Sequence, residues 1–462
     1  MIESMLFRYF PILVSIILIT GCLKSEKREI FHTGEFKEWA QTPPMGWNSW
    51  DCYGPTVEED EVKANADYMA EYLKSYGWEY IVVDIRWFVE NDKAGGYNQT
   101  DPRYALDEYG RYQPAVNRFP SAKDGKGFKE LANYVHNKGF KFGIHLMRGI
   151  PKVAVEKKLP IKGISGITAD QIYTTENQCK WLLDNYTIVA NKPGAQEYYN
   201  SLFDMYADWG VDFVKIDDLS APVYHAAEVE LIRNAIDQCG RTIVLSTSPG
   251  PTPLGQANHV KEHANMWRMV NDVWDIWDDI THLMEVAEGW YSYVAPGTWP
   301  DCDMIPLGRI SIRGERGKDR MTRLTKEEQY SLMTLLTIFR SPLFFGGDLP
   351  SNDEFTLSLL TNKEVLKMHS NSELVRQLYR TDQKVVITSE STINEDVYLA
   401  LFNISDEGFP LEIEVNLTDL GLGGACFVTD MWSDQSLGEF SGLFSRKLKP
   451  HSSGLYRISR TE

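Results

Sequence analysis

None of the six cysteines in this 462-residue chain stands in a Cys-x-x-Cys or comparable pair. Zinc ribbons, iron–sulfur sites and compact disulfide frameworks need such spacing and are excluded. Cys52, Cys179, Cys239, Cys302 and Cys426 leave room for one or two bridges but assign none. Basic residues are also few: 47 Lys and Arg stand against 65 Asp and Glu, a formal net charge of −18. Such a surface repels phosphate backbones and anionic lipid, so no nucleic acid is expected as a partner. Beyond residue 19 no apolar run is long enough to cross a bilayer, which excludes a multi-span membrane protein. Repeats and low-complexity segments are absent as well. Aromatic residues, in contrast, reach 12%, with 13 Trp and 23 Tyr. Part of that excess packs a large core, and the rest suits a cleft that holds sugar rings or other flat ligands.

The single long apolar run, Tyr9 to Ile19 behind Arg8, is too short for a mature transmembrane helix and has the form of an export signal. It ends Ile19-Thr20-Gly21-Cys22, the pattern of a bacterial lipobox. Residues 1–21 are therefore expected to be removed, with Cys22 lipidated and residues 22–40 forming a polar tether. The expected address is the periplasm or cell surface of a bacterium, with the membrane touched only through the lipid. Five cysteines would then face an oxidising compartment.

Between Met45 and Leu349, eight short runs rich in Val, Ile, Phe and Trp alternate with helix-period stretches and Gly, Pro, Asn or Asp turns. The runs are 45–50, 80–88, 140–147, 211–218, 242–249, 265–272, 295–304 and 342–349. Helices are expected at 58–76, 127–137, 196–209, 227–238 and 326–339. Eight strands alternating with helices predict a (β/α)8 TIM barrel over residues 41–369. From about residue 370 the texture changes to alternating stretches such as KVVITSES and VYLALFNIS without helices, which predicts a C-terminal antiparallel β-sandwich over 370–462.

Catalytic groups of such barrels sit at the carboxyl ends of the strands, and here those ends are acidic. They carry Asp84, His145, Lys215, Asp217, Asp218, Arg268, Asp272, Asp301 and Asp303. Carboxylates ending buried strands are costly unless paired or functional. Lys215 and Arg268 already supply neutralising charge, so neither metal nor other cofactor is expected. Two carboxylates with separated roles match glycoside hydrolysis, in which one stays ionised while the other carries a proton.

These residues carry a family resemblance. TPPMGWNSWD at 42–51 is followed in order by YIVVDIRW (80–87), FGIH (142–145), VDFVKIDD (211–218), MWRMVND (266–272), TWPDCDM (298–304) and SPLFFGGDL (341–349). The chain from Thr42 onward resembles glycoside hydrolase family 27, the α-galactosidase and α-N-acetylgalactosaminidase family, a retaining barrel with a C-terminal sandwich. The resemblance implies Asp217 as nucleophile and Asp272 as acid/base. It also implies Trp50 stacking on the sugar, with Lys215, Asp84, Arg268 and Asp303 binding hydroxyls. Asp218 and Asp301 are expected to be supporting residues.

Five departures accompany these matches. Ile85 stands where typical α-galactosidases carry a second aspartate on the sugar's C4 and C6 side. His145 replaces the tyrosine after FGI, and with Arg86 is a candidate to compensate for the lost carboxylate. Ser248 lies in the region where galactosidases place a glutamate near O2, as in the N-acetylgalactosaminidase branch. Leu219 replaces a cysteine of a common disulfide, and 152–191 forms a long insertion expected to build a pocket wall. The substrate expected first is a terminal α-D-galactoside. On the same fold the alternatives are α-N-acetylgalactosamine and β-L-arabinopyranose, which has galactose geometry without C6. A non-catalytic carbohydrate-binding lipoprotein is the alternative of another class.

Overall fold

The computed structural model describes residues 30–31 and 34–461, so the leader, Cys22 and most of the tether lie outside the described residues. Eight parallel strands form one sheet: β1 (Met45–Asn48), β2 (Tyr80–Val83), β3 (Lys141–Met147), β4 (Phe213–Asp217), β5 (Val244–Thr247), β6 (Met266–Arg268), β7 (Trp299–Asp301) and β8 (Leu343–Phe345). They neighbour one another in the order β7-β6-β5-β4-β3-β2-β1-β8. A parallel bridge between Ile305 and Phe345 closes the ring, with the Ile305 N–H donating to the Phe344 carbonyl at 2.7 Å. Nearly every strand residue is buried, which explains why the runs are continuously apolar. Tyr80, Phe213 and Phe344 fill the barrel axis with ring centroids 5.2–6.1 Å apart. Gly46 is required beside them, because a Cβ there would lie 2.6 Å from that of Tyr80.

The expected apolar runs are longer than the strands. The surplus lies at the carboxyl ends: Ile85, Trp87 and Met304 stay buried after the ladder stops, so hydrophobicity continues into the walls of the barrel mouth. Besides two short α-helices at Trp50–Tyr53 and Lys152–Glu156, the helices are α1 (Glu59–Tyr72), α2 (Lys129–Asn137), α3 (Ala195–Trp209), α4 (Ala226–Gln238), α5 (Ala257–His263), α6 (Trp277–Ala287), α7 (Lys326–Phe339), α8 (Glu354–Leu360) and α9 (Lys363–Ser370). Their ends carry local signals. Thr325 accepts from the Glu328 N–H at the start of α7, and Gly210, at φ 84°, ends α3.

The second domain begins at Ser372. Its six-stranded antiparallel sheet runs β9 (Ser372–Arg380), β10 (Lys384–Ser391), β11 (Val397–Asn403), β16 (Ser453–Arg460), β13 (Ala425–Asp430), β14 (Gln435–Ser441). A pair formed by β12 (Leu411–Asn416) and β15 (Leu443–Leu448) faces it. Helix α7 is buried along nearly its whole length because it packs on both the barrel and strands β11 and β16. Val385, Ile387, Phe402 and Leu455 therefore belong to the same continuous core as the barrel. Trp432 Nε1 donates to Thr334 Oγ1 across the junction at 2.9 Å, so the sandwich buttresses the barrel. No disulfide joins the five cysteines of the described residues, all of which are buried. Among the described residues no helix is long and apolar enough to cross a membrane.

Candidate active site

The carboxyl ends of the barrel strands open into a cavity of about 760 Å³. Trp50, Asp84, His145, Lys215, Asp217, Ser248, Arg268 and Asp272 all line it, eight of the nine residues expected from the sequence. Parallel register brings them together: His145 pairs with Lys215, Met147 with Asp217, and Lys215 with Ser246. Alternation along β4 points Lys215 and Asp217 to the same side.

Asp217 sits at the bottom with 14% of its side chain exposed, and His145 Nε2 lies 3.5 Å from its Oδ2. The other imidazole nitrogen, Nδ1, contacts Asp84 Oδ1 at 2.7 Å. Asp84 is held by the Ser49 hydroxyl on its backbone N–H, and its Oδ1 also accepts the Ile85 N–H. Its Oδ2 is buried without a protein partner, the acceptor that a sugar hydroxyl would meet. Burial alone would raise both carboxyls, but His145, with Lys215, outweighs it and holds Asp84 and Asp217 below the ordinary range. Burial would lower His145, yet Asp84 and Asp217 raise it overall, so the imidazolium between them is favoured. Lys215 is raised in the same way by Asp84 and Asp303 against its burial. The shift favours an ionised Asp217 carboxylate at neutral pH, as a nucleophile needs.

Asp272 differs in one decisive respect: its side chain is 39% exposed, in the loop after β6 and towards the mouth. Arg268 Nη2 holds it at 3.1 Å, while Nη1 lies 2.6 Å from Asp303 Oδ1. Trp50 and Tyr97 face each other at 5.8 Å and 33°, giving the cavity an aromatic wall. Ser248 stands in a loop packed so tightly that a Cβ on Gly250 would lie 1.8 Å from the Val270 carbonyl oxygen.

Asp303 is the exception among the expected sugar contacts. It does not line the cavity but pairs with Arg268 and accepts the Val273 N–H at 2.8 Å, at a backbone position with a left-handed φ of 80°. Asp218 and Asp301 are supports, as expected. Asp218 pairs with Arg148 at 2.8 Å and is pushed up to about 7 by burial, and Asp301 Oδ1 accepts the Asp303 N–H. Arg86 and His145, the candidates to compensate for the lost carboxylate, both have carboxylate neighbours, and His145 also lines the cavity. Arg86 is committed to Asp92 and Asp184, away from the cavity, and both His145 nitrogens face carboxylates. Ile85 therefore forms an apolar patch of the wall, 1% exposed.

Sequence reasoning missed Tyr97, Lys180, Trp181, Glu315 and Arg316, which complete the rim. Lys180 and Trp181 belong to the 152–191 insertion, which does supply a wall. Tyr97, Glu315 and Arg316 come from polar loops with no periodicity to mark them.

Family models place this arrangement. One described as "Alpha galactosidase A" matches residues 42–155 and 182–371, and one described as "Alpha galactosidase C-terminal beta sandwich domain" matches 382–458. The chain belongs to glycoside hydrolase family 27. The gap between the matched segments falls inside the 152–191 insertion. A family 27 β-L-arabinopyranosidase from Geobacillus stearothermophilus is 51% identical, with a TM-score of 0.90 over 92% of this chain and 98% of that one. A protein from Bacillus halodurans described as a putative α-N-acetylgalactosaminidase is 44% identical, with a TM-score of 0.83 over 94% of this chain and 100% of that one. Alpha-galactosidase A of Cellvibrio japonicus is 26% identical, covering 84% of this chain and 80% of its own. As a family 27 member the protein is a glycoside hydrolase, and the non-catalytic alternative is set aside.

Proposed function

We propose that this family 27 enzyme is a retaining exo-glycosidase that prefers terminal β-L-arabinopyranosyl units and accepts α-D-galactosyl units more slowly. The observation that carries the reading is Ile85, an apolar side chain buried in the cavity wall at the position of the missing carboxylate. A hydroxymethyl at C6 finds no partner against Ile85, whereas arabinopyranose has only hydrogen there. The 51% identity to a β-L-arabinopyranosidase supports the same ordering. This moves the first expected substrate, the α-D-galactoside, to second place. The α-N-acetylgalactosaminide reading rests on Ser248 and on the 44% identity to the Bacillus halodurans protein.

In the proposed double displacement the Asp217 carboxylate attacks the anomeric carbon while Asp272 gives its proton to the departing aglycone oxygen. Asp272 then takes a proton from water, whose oxygen attacks the same carbon and releases Asp217. Retention requires the two carboxyls to stand about 5 to 5.5 Å apart in the substrate complex. The exposure of Asp272 suits a group that must reach both leaving group and water, and the cations around Asp217 suit one that must stay ionised.

A panel of aryl β-L-arabinopyranoside, α-D-galactoside and α-N-acetylgalactosaminide tests the assignment. The highest kcat/KM is expected on the arabinopyranoside, and a faster galactoside reaction overturns the ordering. Release of the inverted anomer first, followed by NMR, overturns the double displacement. The leader sequence supports export and lipid tethering through Cys22, and Cys22→Ala should move the enzyme out of the membrane fraction.

A further inference from the structure

We propose that Glu230, His259 and His263 form a site for one divalent transition-metal ion of the zinc class on the outer face of the barrel. None of the three lines the active cavity. One ligand atom from each lies within 4.8 Å of the others. His259 and His263 are one helical turn apart on α5, and their rings stack at 4.3 Å and 19°. Glu230 comes from α4, with Oε1 3.2 Å from His259 Nε2. Ligand atoms at zinc's usual bond lengths of about 2.0–2.1 Å in a tetrahedron lie about 3.3 Å apart, so that pair already spans one edge.

The hydrogen bonds at the other ring nitrogens are compatible with metal binding through both Nε2 atoms. The His263 Nδ1–H donates to the His259 carbonyl at 2.7 Å, which leaves the lone pair on Nε2. His259 Nδ1 lies 2.8 Å from the Tyr224 hydroxyl, which can take its N–H and leave Nε2 to a cation. Such outer partners fix ring orientation and raise ligand basicity in metal sites. Two imidazoles and one carboxylate form a donor set suited to zinc, with water completing the coordination.

The placement gives the site a consequence. Helix α4 follows the loop that carries Ala221 and Pro222 to the active cavity, and Tyr224 belongs to that loop. Helix α5 follows the loop that carries Ser248 to Pro251. An ion bound between the helices would tie together two adjacent wall segments of the sugar pocket without touching the sugar.

Tag-free, chelator-treated full-length protein dialysed against zinc chloride should take up one ion per chain, with a rise in Tm. His263→Ala should weaken zinc binding at least tenfold. Tyr224→Phe, which removes only an orienting hydroxyl, should weaken it about tenfold. Hydrogen exchange at 218–225 and 249–257 should slow on zinc addition in the wild type and not in His259→Ala/His263→Ala. Equal zinc affinity in that double variant and the wild type, or no uptake by the wild type at millimolar zinc, overturns the site. Unchanged exchange with zinc bound overturns the clamp.

Discussion

Replacing Ile85 by aspartate restores the carboxylate that the wall lacks and should change which sugar is preferred. Ile85 is 1% exposed and shares an apolar cluster with Trp50, Val82, Met147 and Leu182. A sugar hydroxyl buried against it loses its water and gains nothing, a cost of about 1–3 kcal/mol. That corresponds to roughly 5- to 150-fold in kcat/KM for the galactoside. The arabinopyranoside has no such hydroxyl, so its kcat/KM should change little or fall. The ratio of the two specificity constants should therefore move towards galactoside by roughly 5- to 150-fold. The added carboxylate stands next to Asp84 in a dry wall, so Ile85→Asp should also lower Tm. Ile85→Asn supplies an acceptor without the charge and separates hydrogen bonding from repulsion. Paired initial-rate measurements on the two aryl glycosides, with circular dichroism as the folding control, decide the matter. If both variants are folded and their ratio stays within about twofold of wild type, Ile85 does not face the C6 position and the specificity argument fails.

Asp217→Asn should lose roughly 10³-fold or more in kcat on every aryl glycoside, since the covalent step disappears while the binding groups remain. Asp272→Ala should slow poor leaving groups far more than activated aryl ones, because only the former need the proton. Equal losses on both would reverse that assignment. His145→Gln should harm arabinopyranoside and galactoside alike, because the imidazole faces Asp84 and Asp217 rather than C6. It should also move the acid limb of the pH–kcat/KM profile upwards. The imidazolium holds Asp217 low, so without it protonation begins at a higher pH. An unmoved limb would show that His145 does not tune the nucleophile. Phe402→Ala should cost about 3–5 kcal/mol and lower one common unfolding transition, since the sandwich shares its core with the barrel. Separate unfolding of the sandwich in calorimetry would contradict this.

The barrel was legible because each strand is buried on both faces, and unbroken apolar runs betray such strands without any long-range information. Strand ends were not, because Ile85 and Met304 remain buried after leaving the sheet, and hydrophobicity alone does not distinguish a ladder from a wall. Motif residues fell into the cavity wherever their position relative to a strand end set their direction, as with Lys215 and Asp217. Asp303 shows where that logic stops. Its carboxylate is taken up by Arg268 and the Val273 N–H, contacts between loops that no local pattern announces, instead of lining the cavity. The same holds for His145. Its place at a strand end was readable, but its partners on two other strands were not, and those partners decide its chemistry. His145 lies between Asp84 and Asp217 and lowers both carboxyls, so in the proposed mechanism it supports the nucleophile, and the proposed preference for a sugar without C6 rests on Ile85 in the cavity wall.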